Sequence, residues 1–118
     1  MSARYELKDS KNDQYFWTLQ GNNNETLLTS ETYTTKPAAE KGIASAMANS
    51  PYDIRYQKGN TANGQHYFTL NAENHQKLGT SETYTSSWGR DNGIEACKKV
   101  GPSAPTVDLT KSKTGAYR

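Results

Sequence analysis

The stretch Thr29-Ser30-Glu31-Thr32-Tyr33-Thr34 decides the fold, because it returns letter for letter as Thr80-Ser81-Glu82-Thr83-Tyr84-Thr85. The flanking sequences align without a gap, residues 4–51 against residues 55–102. Two copies are too few for a solenoid, in which a stack of several units buries a continuous face. We therefore expect two repeats that are related by a pseudo-two-fold axis and share one core.

The length of the chain also favours a shared core. With 118 residues the chain has the size of one domain, and either half alone would be only marginally stable. We predict a single domain over residues 1–102, monomeric, with an internal pseudo-dimer. Residues 103–118 have no hydrophobic period and are rich in Ser, Thr, Lys and Pro, so we predict a disordered C-terminal tail.

Charge and cysteine content narrow the classes of protein that the chain can belong to. The formal net charge is +2, and this excess lies after residue 102. The near-neutral repeats lack the clustered basic face of a dedicated nucleic-acid binder. The single cysteine, Cys97, excludes an internal disulfide framework. We read no membrane span and no secretory signal at the N-terminus, so we expect a cytoplasmic protein.

Alternating polar and apolar residues predict three strands in each repeat, and a helical period follows them. The predicted strands of the first repeat are residues 4–7, 15–19 and 25–33, before a helix capped by Thr35 that runs to about Asn49. Those of the second repeat are residues 54–58, 66–70 and 77–84, before a helix over residues 87–100. The unit is therefore β-β-β-α, and the fold class is α+β, with an antiparallel sheet packed by two helices.

The first helix has an apolar stripe at Ala39, Gly42, Ile43 and Ala46, spaced three and four residues apart. Glycine costs about 1 kcal/mol in a helix interior relative to alanine. Gly42 nevertheless returns as Gly93, and isoleucine follows in both copies. We interpret these glycines as points where each helix approaches the sheet closely.

Together these pieces resemble the YegP-like family, small bacterial proteins built on a domain of unknown function. The motif is an aromatic-rich strand, a Ser-Glu-x-Tyr segment and a Gly-Ile helix centre, each present twice. Its residues are Tyr15-Phe16-Trp17-Thr18-Leu19, Ser30-Glu31-Thr32-Tyr33 and Gly42-Ile43, then His66-Tyr67-Phe68-Thr69-Leu70, Ser81-Glu82-Thr83-Tyr84 and Gly93-Ile94. The resemblance implies paired β-β-β-α units and no established activity. His66 and Arg90 depart from the motif.

Glu31 and Glu82 are the candidate functional residues, since glutamate is depleted in strands. Unless a bulge shifts the phase, alternation places each carboxylate on the face of the core residues, where it needs partners. In one interpretation the glutamates are structural acceptors of hydrogen bonds. In the other, the pseudo-two-fold brings them into one ligand-binding or acid/base pocket. The residues of that pocket would be Glu31, Glu82, Tyr33, Tyr84, Ser30 and Ser81.

Other chemistry finds little support in the sequence. His66, His75 and Cys97 lack the spacing of metal ligands, and no nucleotide fingerprint or Ser-His-Asp ordering is present. We therefore expect no cofactor, no metal and no enzymatic activity. Phe16, Tyr67 and Trp88 could stack the bases of a single-stranded nucleic acid, as a remote alternative. The leading hypothesis is a protein-interaction or self-association module, with a partner protein that the sequence does not identify.

Overall fold

The computed structural model describes residues 2–111. Seven strands and two α-helices follow one another within this range. The strands are β1 (Arg4–Asp9), β2 (Tyr15–Gln20), β3 (Thr26–Ser30), β4 (Tyr56–Asn60), β5 (His66–Asn71), β6 (Lys77–Thr80) and β7 (Thr106–Asp108). Helix α1 (Lys36–Asn49) lies between β3 and β4, and helix α2 (Ser87–Val100) lies between β6 and β7. The α+β class and the β-β-β-α order of both repeats are confirmed.

All seven strands form one mixed sheet in the order β4-β5-β6-β3-β2-β1-β7. The two repeats meet at β3 and β6, which pair antiparallel, with Thr29 opposite its own repeat equivalent, Thr80. A pseudo-two-fold axis therefore passes between these two threonines. Every neighbouring pair is antiparallel except β1 and β7, which run parallel.

The core lies on one face of the sheet, under both helices. Its fully buried large side chains are Trp17, Tyr5, Phe68, Leu7, Leu19, Leu27, Leu28 and Leu70. From α1 the buried residues are Ala39, Gly42, Ile43 and Ala46, which is the predicted stripe. From α2 they are Gly93, Ile94 and Cys97. Both repeats contribute to this single cluster, as the size of the halves required.

Each repeat is also bonded to the end of the other repeat's helix. The Tyr5 hydroxyl donates to the carbonyl oxygen of Gly101 at 2.8 Å, just after α2. The equivalent Tyr56 hydroxyl donates to the carbonyl oxygen of Ser50 at 2.6 Å, just after α1. These two reciprocal bonds follow the pseudo-two-fold and tie the halves together.

The two helices begin where the sequence predicts, at hydroxyl caps. Thr35 Oγ1 accepts from the Ala38 amide at 3.2 Å, and Ser86 Oγ accepts from the Gly89 amide at 3.0 Å. Such caps satisfy amides that have no partner inside the helix. The close approach at the glycines is confirmed as well. A Cβ on Gly42 would lie 2.8 Å from Tyr33 Cζ and 2.9 Å from Trp17 Nε1.

The predicted strand boundaries err most at the ends of β3 and β6, and the strand predicted over residues 54–58 is β4, Tyr56–Asn60. Strand β3 ends at Ser30 and not at Tyr33, and β6 ends at Thr80 and not at Tyr84. Only single bridges, Tyr15 to Tyr33 and His66 to Tyr84, resume the pairing further on. A bulge separates each bridge from its strand, so the residues between them leave the ladder.

The prediction of a disordered tail is wrong for residues 103–111. Residues 106–108 form β7 on the edge of β1, and Ala104 and Thr110 are buried. Asp108 pairs with Lys36 of α1 at 2.5 Å. Burial alone would raise the pKa of Asp108, but hydrogen bonds from Lys36 and Thr110 outweigh it and lower this pKa to about 2. The contacts that hold this segment are largely polar, and its apolar pair, Val107 and Leu109, is exposed, so a hydrophobic period did not predict them. Residues 112–118 lie outside the described range.

Candidate functional site

The serines of the repeated motif close the bulge with their side chains. Ser30 Oγ accepts from the Trp17 amide at 2.8 Å and donates to the carbonyl oxygen of Glu31 at 2.7 Å. Ser81 Oγ makes the same two bonds in the second repeat, at 2.9 Å from the Phe68 amide and 2.7 Å to the carbonyl oxygen of Glu82. Both serines are buried. They are therefore structural residues that replace a missing backbone partner.

A bulge inside each third strand turns the two glutamates to solvent. Leu19 pairs with Leu28 but Gln20 pairs with Thr26, so Leu27 is an extra residue, as Leu78 is in β6. The extra residue shifts the side-chain phase, since successive side chains of a strand alternate between faces. Thr29 therefore lies with its partner Thr18 on the face opposite the helices, and Glu31 shares that face. The second bulge, between the Thr18–Thr29 pair and the Tyr15–Tyr33 bridge, returns Tyr33 to the core side. Glu31 and Glu82 are both exposed, and Glu31 Oε2 lies 3.7 Å from Lys77 Nζ. The expectation that these carboxylates share a face with the core is wrong.

The two carboxylates also lie apart. Since Thr29 pairs with Thr80 and Ser30 with Gly79, continuing this register places Glu31 beside Leu78 and Glu82 beside Leu27. The residues lie at opposite ends of the β3–β6 pair, separated by about 13 Å of strand. Four cavities among the described residues are lined by other side chains. The geometry therefore brings no acid/base pair together.

Tyr33 and Tyr84 lie over the helix glycines. A Cβ on Gly42 or Gly93 would meet the ring of the tyrosine in its own repeat. Burial raises the pKa of both hydroxyls, to about 12 for Tyr84. Within residues 2–111, no group lies in hydrogen-bonding geometry to the buried Tyr84 hydroxyl or to the buried Trp17 Nε1. These tyrosines set the packing distance between helix and sheet.

The serine and the glutamate of one repeat allow a matched stability test. We expect Ser30→Ala to lower the free energy of unfolding by about 1–2 kcal/mol, because it leaves the buried Trp17 amide unpaired. Glu31→Gln should change it by less than about 0.5 kcal/mol, since the side chain is exposed. Urea melts at neutral pH measure both values. Equal losses for the two variants would contradict the structural assignment of the motif.

The two departures from the repeat, His66 and Arg90, contact each other. Arg90 Nη1 lies 3.5 Å from His66 Nδ1, and Arg90 Nε donates to Asp91 at 3.2 Å. In the first repeat the same two positions hold Tyr15 and Ala39. The second repeat thus has a smaller ring on the strand, His66, and a longer side chain on the helix, Arg90. The smaller ring leaves the space that the longer side chain occupies.

Metal and thiol chemistry find no site in residues 2–111. This range contains no group of three or more His, Cys, Asp or Glu residues that could hold a metal ion. Cys97 is buried, and burial raises the pKa of its thiol. A protonated, buried thiol is a poor nucleophile. His75 lies in the turn before β6, with a left-handed backbone at φ 71°.

The three aromatic residues considered for base stacking do not form one surface. Phe16 and Tyr67 lie on the sheet face opposite the helices, where Lys8 Nζ is 5.9 Å from the centre of the Phe16 ring. Tyr67 lies against Gly59, whose Cβ would meet its ring. Trp88 stands on α2, and its side chain is 75% exposed. The structure therefore separates Trp88 from the other two.

The open edge of the sheet at β4 presents backbone groups without a strand partner among residues 2–111. The Phe68 amide donates to Ser81 Oγ, and its carbonyl oxygen accepts from the Ser81 amide at 2.9 Å. Both groups of Phe68 therefore face β6. In an antiparallel pair the residue opposite then directs its own groups the other way. That residue is Lys58, whose N–H and C=O point away from the sheet.

The equivalent edge at the other end of the sheet is covered by β7. The Tyr5 amide donates to the carbonyl oxygen of Pro105 at 2.8 Å, and Leu7 O accepts from the Leu109 amide at 2.8 Å. By the repeat, Leu7 corresponds to Lys58, and Tyr5 corresponds to Tyr56. The Tyr56 amide is already bonded to Asp53 O. The two edges thus differ mainly in that one carries an added strand.

A shallow cleft of about 350 Å³ runs beside β4, between the strand and α2. Its lining residues are Asp53, Tyr56, Lys58, Asp91, Ile94 and Glu95. Lys58 Nζ lies 3.1 Å from Asp91, and Lys98 Nζ lies 2.7 Å from Asp53. Trp88 belongs to the same side of α2 as Asp91 and Glu95, because residues three and seven positions apart share a helix face. An exposed indole therefore stands on the helix face that borders the cleft, one turn before Asp91.

The sequence matches the family described as Domain of unknown function (DUF1508) twice, over residues 10–57 and 62–108. The chain belongs to the DUF1508 family. UPF0339 protein YegP of Escherichia coli is 44% identical over 110 residues, which are 93% of this chain and 100% of that protein. A UPF0339 protein of Bordetella pertussis is 46% identical over 112 residues, which are 95% of this chain and 100% of that protein.

Two solved structures of the DUF1508 relatives share the fold. The solution NMR structure of YegP from E. coli, described as a protein of unknown function, has a TM-score of 0.88 and 45% identity, covering 95% of this chain and 97% of that chain. The solution NMR structure of a UPF0339 protein from Shewanella oneidensis has a TM-score of 0.87 and 46% identity, covering 93% of both chains. These likenesses confirm the family resemblance that the motif indicates.

The limits of the DUF1508 matches divide the chain differently from the β-β-β-α repeat. The first match ends inside β4, and the second ends with β7. Each family unit is therefore β-β-α-β, with β4 closing the first unit and β7 closing the second. Strand β1 precedes both units. No helix in the described part of this DUF1508 chain is long and apolar enough to cross a membrane.

The β4 edge and Trp88 are the features that sequence reasoning missed as a site. Trp88 was visible as an aromatic residue at the start of a helix, where the first repeat has Pro37. Its solvent exposure depends on which face of α2 packs on the sheet. The order of strands in the sheet has no counterpart in the hydrophobic pattern, so the open edge could be seen only in the structure.

Proposed function

We propose that this chain is a non-enzymatic protein-interaction module that binds an extended segment of another protein at the β4 edge. The bound segment adds to the sheet as an eighth strand, parallel to β4. The observation that carries the proposal is the strand β7, which lies in this manner on the equivalent edge of β1. Strand addition of this kind obtains affinity from main-chain bonds and specificity from alternate side chains.

The backbone of β4 supports the proposal. The outward N–H and C=O groups of Lys58 correspond to those of Leu7, whose carbonyl oxygen accepts from the Leu109 amide at 2.8 Å. Asn60 offers a second outward set, because the groups of its partner His66 are bonded to Tyr84 at 2.8 and 2.7 Å. An unpaired edge is a ready template for another strand. The Lys58 side chain at this edge disfavours pairing between two copies of the chain, as edge lysines do in other sheets.

The chemistry of the bound segment follows from a comparison of the two edges. On β1 the added strand places Asp108 against Lys36, in the first turn of α1. The first turn of α2 holds Ser87 and Trp88 in place of Lys36 and Pro37. Trp88 is 75% exposed, and exposed indoles often anchor protein interfaces. The segment that fits β4 therefore carries an apolar side chain, and not an acidic one, at the position of Asp108.

In this proposal the protein acts as a monomer, since its two repeats already form the pseudo-dimer. The alternative of a small-ligand or acid/base pocket built from Glu31, Glu82 and the motif tyrosines is not favoured, because the glutamates are exposed. Nucleic-acid binding is not favoured either, since residues 1–102 carry no net charge, and affinity for nucleic acids depends largely on positive charge.

Synthetic peptides that copy this chain's own added strand test the proposal. One peptide has the sequence of residues 103–111, and the second has leucine in place of Asp108. We expect the leucine peptide to shift the amide resonances of Lys58 and Asn60 and to move the fluorescence of Trp88 to shorter wavelength. Trp17 is fully buried and should not respond. The aspartate peptide should bind about tenfold more weakly, which is about 1.4 kcal/mol.

Two variants of one residue separate main-chain binding from side-chain binding. Lys58→Pro removes the outward N–H, and an edge strand tolerates proline. This variant should bind the leucine peptide at least about tenfold more weakly. Lys58→Ala keeps the N–H and should bind it nearly as wild type does. Binding that is insensitive to Lys58→Pro, or resonance shifts away from β4, would overturn strand addition at this edge.

A further inference from the structure

We infer that β1 and β7 are alternative occupants of one place in the sheet, beside β2, and that β7 moves into this place when β1 leaves it. The inference does not depend on the function proposed for the β4 edge. It rests on the repeat, on the connections of the chain and on the side chains that β7 exposes.

The repeat assigns three strands, β1, β4 and β7, to two places in the sheet, one beside β2 and one beside β5. Tyr5 of β1 corresponds to Tyr56 of β4 in the repeat alignment. Adding the same sequence offset to Tyr56 gives Val107 of β7. Strand β4 closes the first family unit and pairs with β5. Strand β7 closes the second unit, so the pseudo-two-fold places it beside β2. In the structure β1 pairs with β2, and β7 is therefore displaced outward by one strand.

The connection to β7 has the length that this inner place requires. Helix α1 ends at Asn49, and β4 begins at Tyr56. Helix α2 ends at Val100, and Val107 follows it after the same number of residues. Strand β7 is parallel to β1, so it already runs in the direction that pairing with β2 needs. Moving inward requires one strand spacing, about 4.8 Å, a shift of about one residue, and a half-turn about the strand axis, because Val107 now shares the outer face of Glu6. The shift follows because Thr106, and not Val107, is now opposite Tyr5.

The side chains of β7 suit the inner place better than the outer one. Val107 is 37% exposed and Leu109 is 53% exposed. In the places of Tyr5 and Leu7, which are buried, they would face the helices. Asp108 would then take the place of Glu6, on the face opposite the helices. The apolar alternation of β7 therefore matches a core-facing strand. At its present position the two apolar side chains are exposed to solvent.

Strand β1 is the resident occupant because it fills the core with larger side chains. It contributes Tyr5 and Leu7, and the Tyr5 hydroxyl bonds to the carbonyl oxygen of Gly101 at 2.8 Å. The exchange gives the protein a way to release its N-terminal strand without leaving the edge of β2 open. Residues 2–9 thereby become a segment that another molecule can take up while the sheet remains closed.

A double-variant experiment on the full chain tests the exchange. Leu7→Asp places a charge in the core and should expel β1, yet the protein should remain folded, with nuclear Overhauser contacts between Val107 and Leu19. In the wild-type background Leu109→Asp should move the urea midpoint by less than about 0.3 M, since the side chain is exposed. In the Leu7→Asp background the same change should abolish the cooperative transition. Thr106→Asp is the matched control and should be harmless in both backgrounds.

The coupling cannot arise from contact between the two substituted side chains, although the Leu109 amide bonds to the Leu7 carbonyl oxygen. Leu7 is paired with Asp108, so the side chain of the following residue, Leu109, points to the other face of the sheet. A milder pair, Leu7→Ala with Leu109→Asp, provides a second measurement if the charged variant unfolds. A loss greater than the sum of the single losses supports exchange. Additive losses in the pair of Leu7→Ala and Leu109→Asp would overturn the inference, whether or not the Leu7→Asp protein folds.

Discussion

We expect Gly42→Ala to lower the free energy of unfolding by about 2–3 kcal/mol, although alanine is the better helix former. The new methyl group would lie 2.8 Å from Tyr33 Cζ and 2.9 Å from Trp17 Nε1, closer than van der Waals contact. Trp17 is fully buried, and α1 cannot move away without opening the core at Ala39 and Ala46. Overpacking a tight core typically costs about 1–3 kcal/mol. The cost exceeds the gain of about 1 kcal/mol in helix propensity.

Gly89→Ala is the matched control in the other helix. A Cβ at this position would lie 3.3 Å from Ser86 Oγ and 3.5 Å from Tyr84 Cδ1, which small side-chain movements accommodate. We expect this variant to be as stable as wild type or up to about 1 kcal/mol more stable. Urea denaturation followed by far-ultraviolet circular dichroism gives both values. A stabilised Gly42→Ala protein would show that α1 is not held against Tyr33.

The helices were the part of the fold most fully predictable from sequence. Their caps depend on one hydroxyl each, Thr35 and Ser86, and their inward stripes depend on a local period of 3.6 residues. The glycine at the centre of each stripe was predictable too, because no other reason explains a glycine that returns at Gly42 and Gly93. Local patterns of this kind are independent of how the sheet is assembled.

The candidate site was less predictable, since its error came from a single extra residue. The alternation that assigned Glu31 to the core face fails at Leu27, the extra residue, after which Leu28 and Ser30 face the core in place of Thr29 and Glu31. A buried serine hydroxyl then bonds to the Trp17 amide at 2.8 Å and allows the chain to leave the ladder. The sequence signal for this second bulge was the serine itself, a small polar residue at a core-facing position. Its partner became known only when Ser30 and Trp17 were placed side by side.

The C-terminal strand escaped prediction for a different physical reason. Strand β7 has only three residues, and a large part of its attachment is polar, through Lys36 and the buried Thr110. Its two apolar residues, Val107 and Leu109, face away from the core. Their alternation covers only two apolar residues, which is too short to predict a strand, and it does not correspond to burial in the structure. The pairing of β7 with β1 joins residues from the two ends of the chain, and no local rule predicts such a contact.

The separate halves of the chain should be unable to fold as monomers. Residues 1–51 contain β1, β2, β3 and α1, but three of their contacts lie in the other half. Strand β3 loses its partner β6, the Tyr5 hydroxyl loses the carbonyl oxygen of Gly101, and Ser50 loses Tyr56. A fragment of this size buries too little apolar surface to offset its conformational entropy. We expect residues 1–51 and residues 52–118, each alone, to show no cooperative thermal transition, or to show one only as a dimer.

Mixing the two fragments in equal amounts should restore the native circular dichroism spectrum, because the contacts that they lack are those that they supply to each other. A full-length chain with a protease site inserted between Pro51 and Tyr52 is the control for the position of the cut. Tyr52 is exposed, so the uncut protein should melt as wild type does, and the cut protein should remain associated until it is diluted below its dissociation constant. Analytical ultracentrifugation of each fragment gives its association state. A monomeric half with a sharp thermal transition would refute the shared core, since that half would then complete a core with no residue from the other side of the pseudo-two-fold axis.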